Sequence, residues 1–386
     1  MPNYTGLHDL RRRDSTAAKR CADRLLAMRE SLAAVRGRKG DGSLLLATWN
    51  IRDFDSNKFG FGPRLPETFF YIAEIISCFD LVAVQEVNRD LSALQKVMRI
   101  LGREWDYIAT DTTVGSGGND ERLAFVYNTE KIWFRKIAGE VVLPEGQLVV
   151  ARKKVNAPAD ERPEAAATAQ RAATAGLTEV RQQFARTPFV VAFQSGWFKF
   201  SLCTVHIYYG RDSGPQLAQR VDEIRRLVKF FAHRQDRQRD QERDELGEIE
   251  NYVLLGDFNV VSPEHQTMAA LKSEGFTVPD AIDGDKVREE GQHFYDQIAV
   301  RVKDPRFKVM GGGIVDMYAD VFRDDATDRA LYGPMMPAAD PEEDQEFRAP
   351  EKLYRKWRTW QMSDHSPLWI EISTDFADHY LRKFKD

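Results

Sequence analysis

The 386-residue chain reads as an α/β or α+β layered protein with mixed sheets, and three observations predict this. Short apolar runs of strand length alternate with segments of helical period. Several of those runs are hairpin-like neighbours, which an all-parallel sheet would not contain. Polar motifs also stand where the runs end. Thr48-Trp49-Asn50-Ile51 closes the run Leu44 to Thr48, Gln85-Glu86 follows Leu81 to Val84, and Gly256-Asp257-Phe258-Asn259 follows Tyr252 to Leu255. A fourth motif, Ser363-Asp364-His365-Ser366-Pro367, precedes the strand-like Trp369 to Ile372. Ligands in layered α/β proteins gather where loops leave strand ends, so one rim is expected to carry carboxylates, carboxamides and imidazole. A hard cation and a phosphate are the natural guests there.

In chain order, Ser15 to Arg36 carries Ala17, Ala18, Cys21, Leu25, Leu26, Met28, Leu32 and Val35 among charges, which predicts an amphipathic helix. The glycines of Arg36-Gly37-Arg38-Lys39-Gly40-Asp41-Gly42 break it. Residues 1–42 are therefore expected to be a helical extension packed outside a main domain at 43–386. Within that domain, helices are expected over Thr68 to Cys78 and Leu91 to Leu101. Strands are expected over Leu123 to Tyr127, Val141 to Val150, Phe189 to Phe193 and Phe198 to His206. Gly115-Ser116-Gly117-Gly118-Asn119-Asp120 reads as a loop. Two insertions are expected, near 156–176 and 211–250. The second opens with Leu217, Val221, Ile224, Leu227 and Val228 at helical spacing, and its mixed-sign run Arg234 to Glu245 predicts a solvated helix face.

Composition narrows the function. A net charge of −5 and a pI near 5.9 provide no global positive field, so any affinity for a polyanion has to come from local cations and bound metal. Cys21, Cys78 and Cys203 are far apart and form no CxxC pair, which predicts neither a disulfide framework nor a structural zinc site. The sequence shows no apolar signal region and no run long enough to span a membrane, so a cytoplasmic protein is expected.

Hydrolysis of a phosphodiester needs neutralised phosphoryl charge, an activated nucleophile and a stabilised leaving oxygen. Glu86 suits Mg²⁺, and Asn50 supplies a neutral oxygen or an amide donor if the two strands are neighbours. Asp257 and Asn259 are one residue apart and can orient water and hold a phosphate oxygen. His206 and His365 fit a proton-transfer pair, with Asp296 the best partner for His365 and Glu121 the best for His206. Each motif alone is often no more than a turn or a strand end.

Taken together, these residues resemble the endonuclease/exonuclease/phosphatase superfamily, and within it the deoxyribonuclease I-like nucleases. The resemblance spans about Ser43 to Phe376. It implies a four-layered α/β sandwich with two mixed sheets face to face and helices outside, and a Mg²⁺ or Mn²⁺ site at one rim. It further implies that Glu86 and Asp364, helped by Asn50, hold the main metal, while Asp257 and Asn259 orient the nucleophile or bind the scissile phosphate or a second ion. His365, oriented by Asp296, would be the base, and His206, paired with Glu121, the acid. Arg186-Thr187-Pro188 resembles the family's Arg-x-Pro phosphate contact. Asn119 departs from the aromatic that deoxyribonuclease I carries two residues before its Glu.

Tyr354-Arg355-Lys356-Trp357-Arg358-Thr359-Trp360 precedes Ser-Asp-His and places cations and flat rings beside the site. Phosphate contacts plus stacking hold a nucleic-acid backbone without reading sequence, so Arg355, Lys356 and Arg358 become substrate-binding candidates. The expected activity is sequence-nonspecific DNA cleavage leaving 5′-phosphate and 3′-hydroxyl ends. The alternatives are a lipid or small-molecule phosphoesterase, or a non-catalytic interaction module on the same fold.

Overall fold

The computed structural model describes residues 1–54, 60–112, 121–154, 177–241, 250–284, 294–337, 350–382 and 384–385. The expected loop at 115–120, with Asn119, and the insertion at 156–176 lie outside these residues.

Two mixed sheets carry the architecture. The first is ordered β12 (Val309–Ile314), β13 (Leu368–Ser373), β1 (Ser43–Phe54), β2 (Leu81–Val87), β4 (Arg122–Asn128) and β3 (Trp105–Ala109). The second is ordered β11 (Asp296–Arg301), β10 (Tyr252–Asp257), β9 (Phe198–His206), β8 (Phe189–Ser195) and β5 (Trp133–Glu140). β1 runs parallel to β2 and β9 parallel to β10, while the remaining pairs are antiparallel. A small hairpin, β6 (Val149–Lys154) with β7 (Leu177–Gln182), stands apart from both.

Strand alternation builds the layers. Leu44 and Leu46 of β1, Leu81 and Ala83 of β2 and Phe125 of β4 share one buried core with Phe193, Phe200 and Leu202 of the second sheet. Phe125 stacks on Phe189 and meets Phe193 edge-on, each at 5.6 Å between ring centroids, which closes the sheets face to face. The opposite residues of β1, Leu45, Ala47, Trp49 and Ile51, join a second core with the helices outside. Those helices include α4 (Pro66–Ile76) and α5 (Ser92–Leu101), on segments where the sequence predicts them.

The N-terminal segment folds as α1 (Leu7–Arg13), α2 (Ser15–Ser31) and α3 (Ala33–Arg36), with the Asp14 carboxylate capping α2 by accepting from the Ala17 N–H at 2.9 Å. Cys21, Leu25, Met28 and Leu32 are buried in the second core, and each large apolar side chain contributes about 1.5–3 kcal/mol there. Carboxylates on α4 are met from this segment: Arg20 pairs with Glu67 at 2.6 Å, and Arg29 and Arg36 with Glu74. The extension is thus packed into the second core.

The second sheet is covered by α6 (Gly214–Gln241), whose Leu217, Val221, Ile224, Leu227 and Val228 belong to the inter-sheet core cluster. The expectation of a solvated face fails for the start of the charge run. Gln235 is buried and donates to the Glu250 and Arg301 carbonyls, and Asp236 pairs with Arg301 at 2.9 Å. Residues 242–249 lie outside the described residues. The strand expected at Val141 to Val150 is also corrected. Pro144 has no N–H to give a ladder, so the chain makes a short 3-10 turn at Glu145–Gln147, and the sheet takes the earlier Trp133–Glu140 instead.

Candidate active site

Alternation also decides what reaches the rim. Asn50 pairs in register with Gln85 across β1 and β2, and Asp257 of β10 pairs with His206 on one side and Asp296 on the other. These side chains fall on the face that the two sheets share, at the ends of two parallel strand pairs. Gln85 ties the sheets together, donating to Thr48 Oγ1 at 3.1 Å and to Thr204 Oγ1 on β9 at 2.8 Å.

Strict alternation would turn Glu86 to the outer face, because Gln85 already points inward. The register between β2 and β4 shifts between Val84 and Val87, and Glu86 adopts φ of +59°. A left-handed residue in a bulge points its side chain back to the inner face. Glu86 Oε1 there accepts from Asn50 Nδ2 at 3.0 Å and Oε2 from the Asp53 N–H at 2.8 Å. Asp53 and Asn259 are left-handed as well, so backbone strain gathers at this rim.

The final motif is fastened to β1. Ser363 Oγ donates to the Asn50 carbonyl at 2.6 Å and accepts from the His365 N–H at 3.1 Å and the Arg52 N–H at 3.2 Å. The Trp49 indole donates to the His365 carbonyl at 2.8 Å. In the sequence Trp49, Ser363 and Gln85 are only motif flanks, yet they hold its functional members in place. Their adjacency to those members is the sequence signal.

Two imidazole–carboxylate pairs face each other across Asp257. His365 Nδ1 is 2.6 Å from Asp296 Oδ2, and its Nε2 is 3.8 Å from Asp257 Oδ2. His206 Nδ1 is 2.8 Å from Glu121 Oε1, and its Nε2 is 3.6 Å from Asp257 Oδ2 and 4.0 Å from Glu86 Oε1. Both partners chosen from the sequence are the ones in contact. Burial disfavours charge on His365, but Asp296 and Asp257 outweigh it and raise its pKa well above 6.5. For His206, burial and Arg186 oppose protonation while Glu121 favours it, with a net rise. Burial would raise the Glu86 carboxyl, yet His206, Asn50, the Asp53 N–H and His365 hold it down at about 2.

The turn of the Gly-Asp-Phe-Asn motif is built by close approach. Gly256 has φ of +135°, and a Cβ there would stand 2.2 Å from the Val205 carbonyl oxygen, so only glycine lets β10 lie against β9. The Asn259 N–H donates to Asp257 Oδ1 at 2.9 Å, and its side-chain amide donates to the Ile207 carbonyl at 2.8 Å.

A divalent cation fits this donor set. Asn50 is fully buried, its amide nitrogen reaches both Glu86 and Asp257 (3.2 Å to the latter), and its Oδ1 has no hydrogen-bond partner. A buried amide oxygen without a hydrogen-bond partner is a donor of the kind a hard cation takes. Asp364 is about half exposed, 3.6 Å from the Arg52 guanidinium. Ligand atoms of Glu86, Glu121 and His206 also lie within 4.8 Å of one another. Glu121 is already engaged by His206 and Arg186, so a cation held by that trio would displace a guanidinium.

The remaining candidates lie around this centre or away from it. Arg186 is buried against Glu121, with the Ile207 carbonyl 3.5 Å from its Nη1. Beyond α7 (Gln266–Leu271) and α8 (Ala326–Tyr332), on α9 (Pro350–Gln361), Trp357 and Trp360 are 1% and 0% exposed, so the rings read as stacking surfaces are core. Helical period explains this, since Tyr354, Trp357 and Gln361 fall on one stripe. Arg355 pairs with Asp324 at 2.6 Å, and Lys356 Nζ lies 5.9 Å from the Phe61 ring centroid. Arg358 lies over the Tyr318 ring and donates to the Phe322 carbonyl at 3.2 Å. The sequence reading misses two other rings. Tyr295 lies 5.9 Å from the His365 ring, and Tyr209, three residues past His206, is 61% exposed.

No helix among the described residues is long and apolar enough to cross a membrane. No protein-family model matches the sequence, and no match is found among curated proteins. Solved structures do match. An endonuclease/exonuclease/phosphatase family protein from Bacteroides thetaiotaomicron is 19% identical, covering 86% of this chain and 96% of its own at a TM-score of 0.46. The human Nocturnin catalytic domain with bound sulfate is 12% identical, covering 86% and 95% at 0.49. D. rerio TDP2 complexed with a single-strand DNA product is 12% identical, covering 86% and 100% at 0.44. The chain is similar in fold to endonuclease/exonuclease/phosphatase family proteins.

Proposed function

We propose that this chain is a divalent-metal-dependent phosphodiester hydrolase. The observation that carries the reading is the pair of imidazole–carboxylate dyads set on either side of Asp257, with Glu86 and Asn50 at the same rim. Glu86 and Asn50, with Asp364 from the adjoining loop, would hold Mg²⁺ or Mn²⁺. When bound, the ion supplies positive charge that neutralises phosphoryl oxygens and offsets the carboxylates keeping His365 protonated.

His365 donates Nδ1–H to Asp296 and so presents Nε2 toward Asp257, where it takes the proton of the attacking water. Asp257 accepts a hydrogen bond from that water and fixes its direction. His206, protonated and held through Nδ1 by Glu121, delivers its Nε2 proton to the leaving oxygen. Arg186 fixes Glu121 and thereby the His206 ring.

DNA is the substrate we place first, cut without sequence preference to 5′-phosphate and 3′-hydroxyl ends. Exposed Tyr209 and the Tyr295 ring beside His365 supply the flat surfaces that Trp357 and Trp360 do not. The burial of those tryptophans and the capture of Arg355 by Asp324 favour a second reading, a lipid or small-molecule phosphoester. The purified protein with Mg²⁺ or Mn²⁺ is expected to nick supercoiled plasmid and to leave ends that a ligase reseals. Turnover of bis(p-nitrophenyl) phosphate with intact plasmid would select the second reading. Inertness toward plasmid, single strands, small diesters and phospholipids alike would remove the hydrolase assignment.

A further inference from the structure

The apolar stripe of α6 is interrupted near its start by two charged residues three apart, Arg220 and Glu223, and both are fully buried. They share one face of the helix. Glu223 Oε1 accepts from the Ala185 N–H at 2.7 Å, and Oε2 from the Tyr208 N–H at 3.1 Å. Ala185 precedes Arg186, and Tyr208 lies two residues past His206, so one carboxylate fastens the backbones on both sides of the His206–Glu121–Arg186 assembly. Arg220 donates to Asp212 Oδ1 at 2.8 Å, to the Asn259 carbonyl at 3.2 Å and to the Gly210 carbonyl, and its guanidinium lies 5.7 Å from the Tyr209 ring centroid. The loop after His206 is thereby held at 208, 210 and 212, and the Asn259 turn is held with it.

Burying a carboxylate against two backbone N–H groups is an expensive way to pack a helix. Burial lifts the Glu223 carboxyl to about 7, against the pull of the two N–H groups, Arg186 and His206. An apolar residue would satisfy the core but would leave both loops unfastened. We propose that Arg220 and Glu223 are positioning residues that set the His206 dyad and the Asn259 turn relative to the scissile phosphate. This rests on the hydrolase reading above, and both residues are fully buried, acting through the backbone they hold.

The test compares Glu223→Gln with wild type, and also in a His206→Ala background, using bis(p-nitrophenyl) phosphate and Mn²⁺. A displacement of the dyad is expected to lower kcat about 10- to 100-fold with KM and Mn²⁺ affinity nearly unchanged, because misplacement by an ångström costs that order. In the His206→Ala background the same substitution is expected to cost little more, since it acts through the residue already removed. Equal losses in both backgrounds, or parallel losses of stability, Mn²⁺ affinity and kcat, would overturn the proposal. Arg220→Lys keeps the charge but loses the fork. Because it also frees the Asn259 turn, it should lower kcat in both backgrounds with stability, KM and Mn²⁺ affinity nearly unchanged. It carries the test if Glu223→Gln does not fold, parallel losses of stability, Mn²⁺ affinity and kcat again overturning the proposal. If wild type hydrolyses nothing, the hydrolase reading fails by itself and the positioning claim is judged by proton NMR. The resonance of the His206 Nδ1 proton, whose nitrogen is 2.8 Å from Glu121, should be displaced in Glu223→Gln, and an unchanged resonance would reject the claim.

Discussion

The rim of the paired sheets and the helix α9 both carry charged and aromatic residues in dense motifs, yet they use them in opposite ways. At the rim, a two-residue period and a fixed strand register send Asn50, His206, Asp257 and Asp296 to one face, where they converge on each other. On α9 the aromatics follow a helical period into the core, and the cations between them turn to Asp324, to the Phe322 carbonyl and to the Tyr318 ring. A motif therefore carries chemical meaning only once its period is known. If the contrast is real, substitutions at the rim remove chemistry and leave the fold, while substitutions on α9 do the reverse.

The largest expected effect is at His365. His365→Ala should lower kcat about 10²- to 10⁴-fold, the usual loss for a proton-transfer group, with DNA affinity little changed. A matched loss of binding and turnover would break the contrast from the rim side. Next in size is Trp357→Ala, which should cost about 3–5 kcal/mol in urea unfolding while the folded fraction keeps most of its turnover. A stable variant with weakened DNA binding would return α9 to the substrate surface.

The sheet skeleton and the two dyads are legible in the sequence because strand faces alternate and because a His, a carboxylate and a strand end together leave few arrangements. The inward turn of Glu86 is not legible. It depends on a bulge and a left-handed φ that no residue type announces. The roles of Ser363 and Trp49 are hidden for a related reason, since their hydrogen bonds go to backbone carbonyls that become neighbours only when β1 meets the loop before β13. The strand expected at Val141 to Val150 fails locally, at Pro144, where the missing N–H counts against it. In α6, Arg220 and Glu223 look in sequence like the solvated charges that surround them.

Glu86→Gln sharpens the comparison within the rim. It should weaken Mn²⁺ binding by at least the ~10- to 100-fold typical of changes beside a metal. It should also cut the added stability that Mn²⁺ at a hundred times the wild-type Kd confers, about 2.7 kcal/mol, to about 1.4 kcal/mol or less. Calorimetric titration showing unchanged Mn²⁺ affinity would move the metal to other residues. A smaller effect is expected from Asp296→Asn in the metal-free chain. The folded pKa of His365 lies well above its unfolded 6.5, so the stability it contributes is fully present below pH 6.5 and is lost as pH rises through the folded value. The gap in unfolding free energy between wild type and Asp296→Asn should therefore narrow as the pH is raised above 6.5. A gap that does not change with pH would reduce Asp296 to a packing role.

The smallest effect should come from Arg355→Ala. Its side chain is 61% exposed and its partner Asp324 is 26% exposed, so the pair is worth at most ~1 kcal/mol and is weakened further by salt. The same exposure makes Arg355 the α9 cation best placed to leave its carboxylate for a phosphate. Plasmid nicking at rising salt separates the two uses. A surface pair without a substrate role leaves the salt dependence of KM as it is in wild type. If Arg355 instead neutralises a phosphate in the complex, its removal reduces the slope of log KM against log salt by about one counterion. The unaltered slope is the result expected here, and a reduced one would show that helix period alone does not decide which cations on α9 reach the substrate.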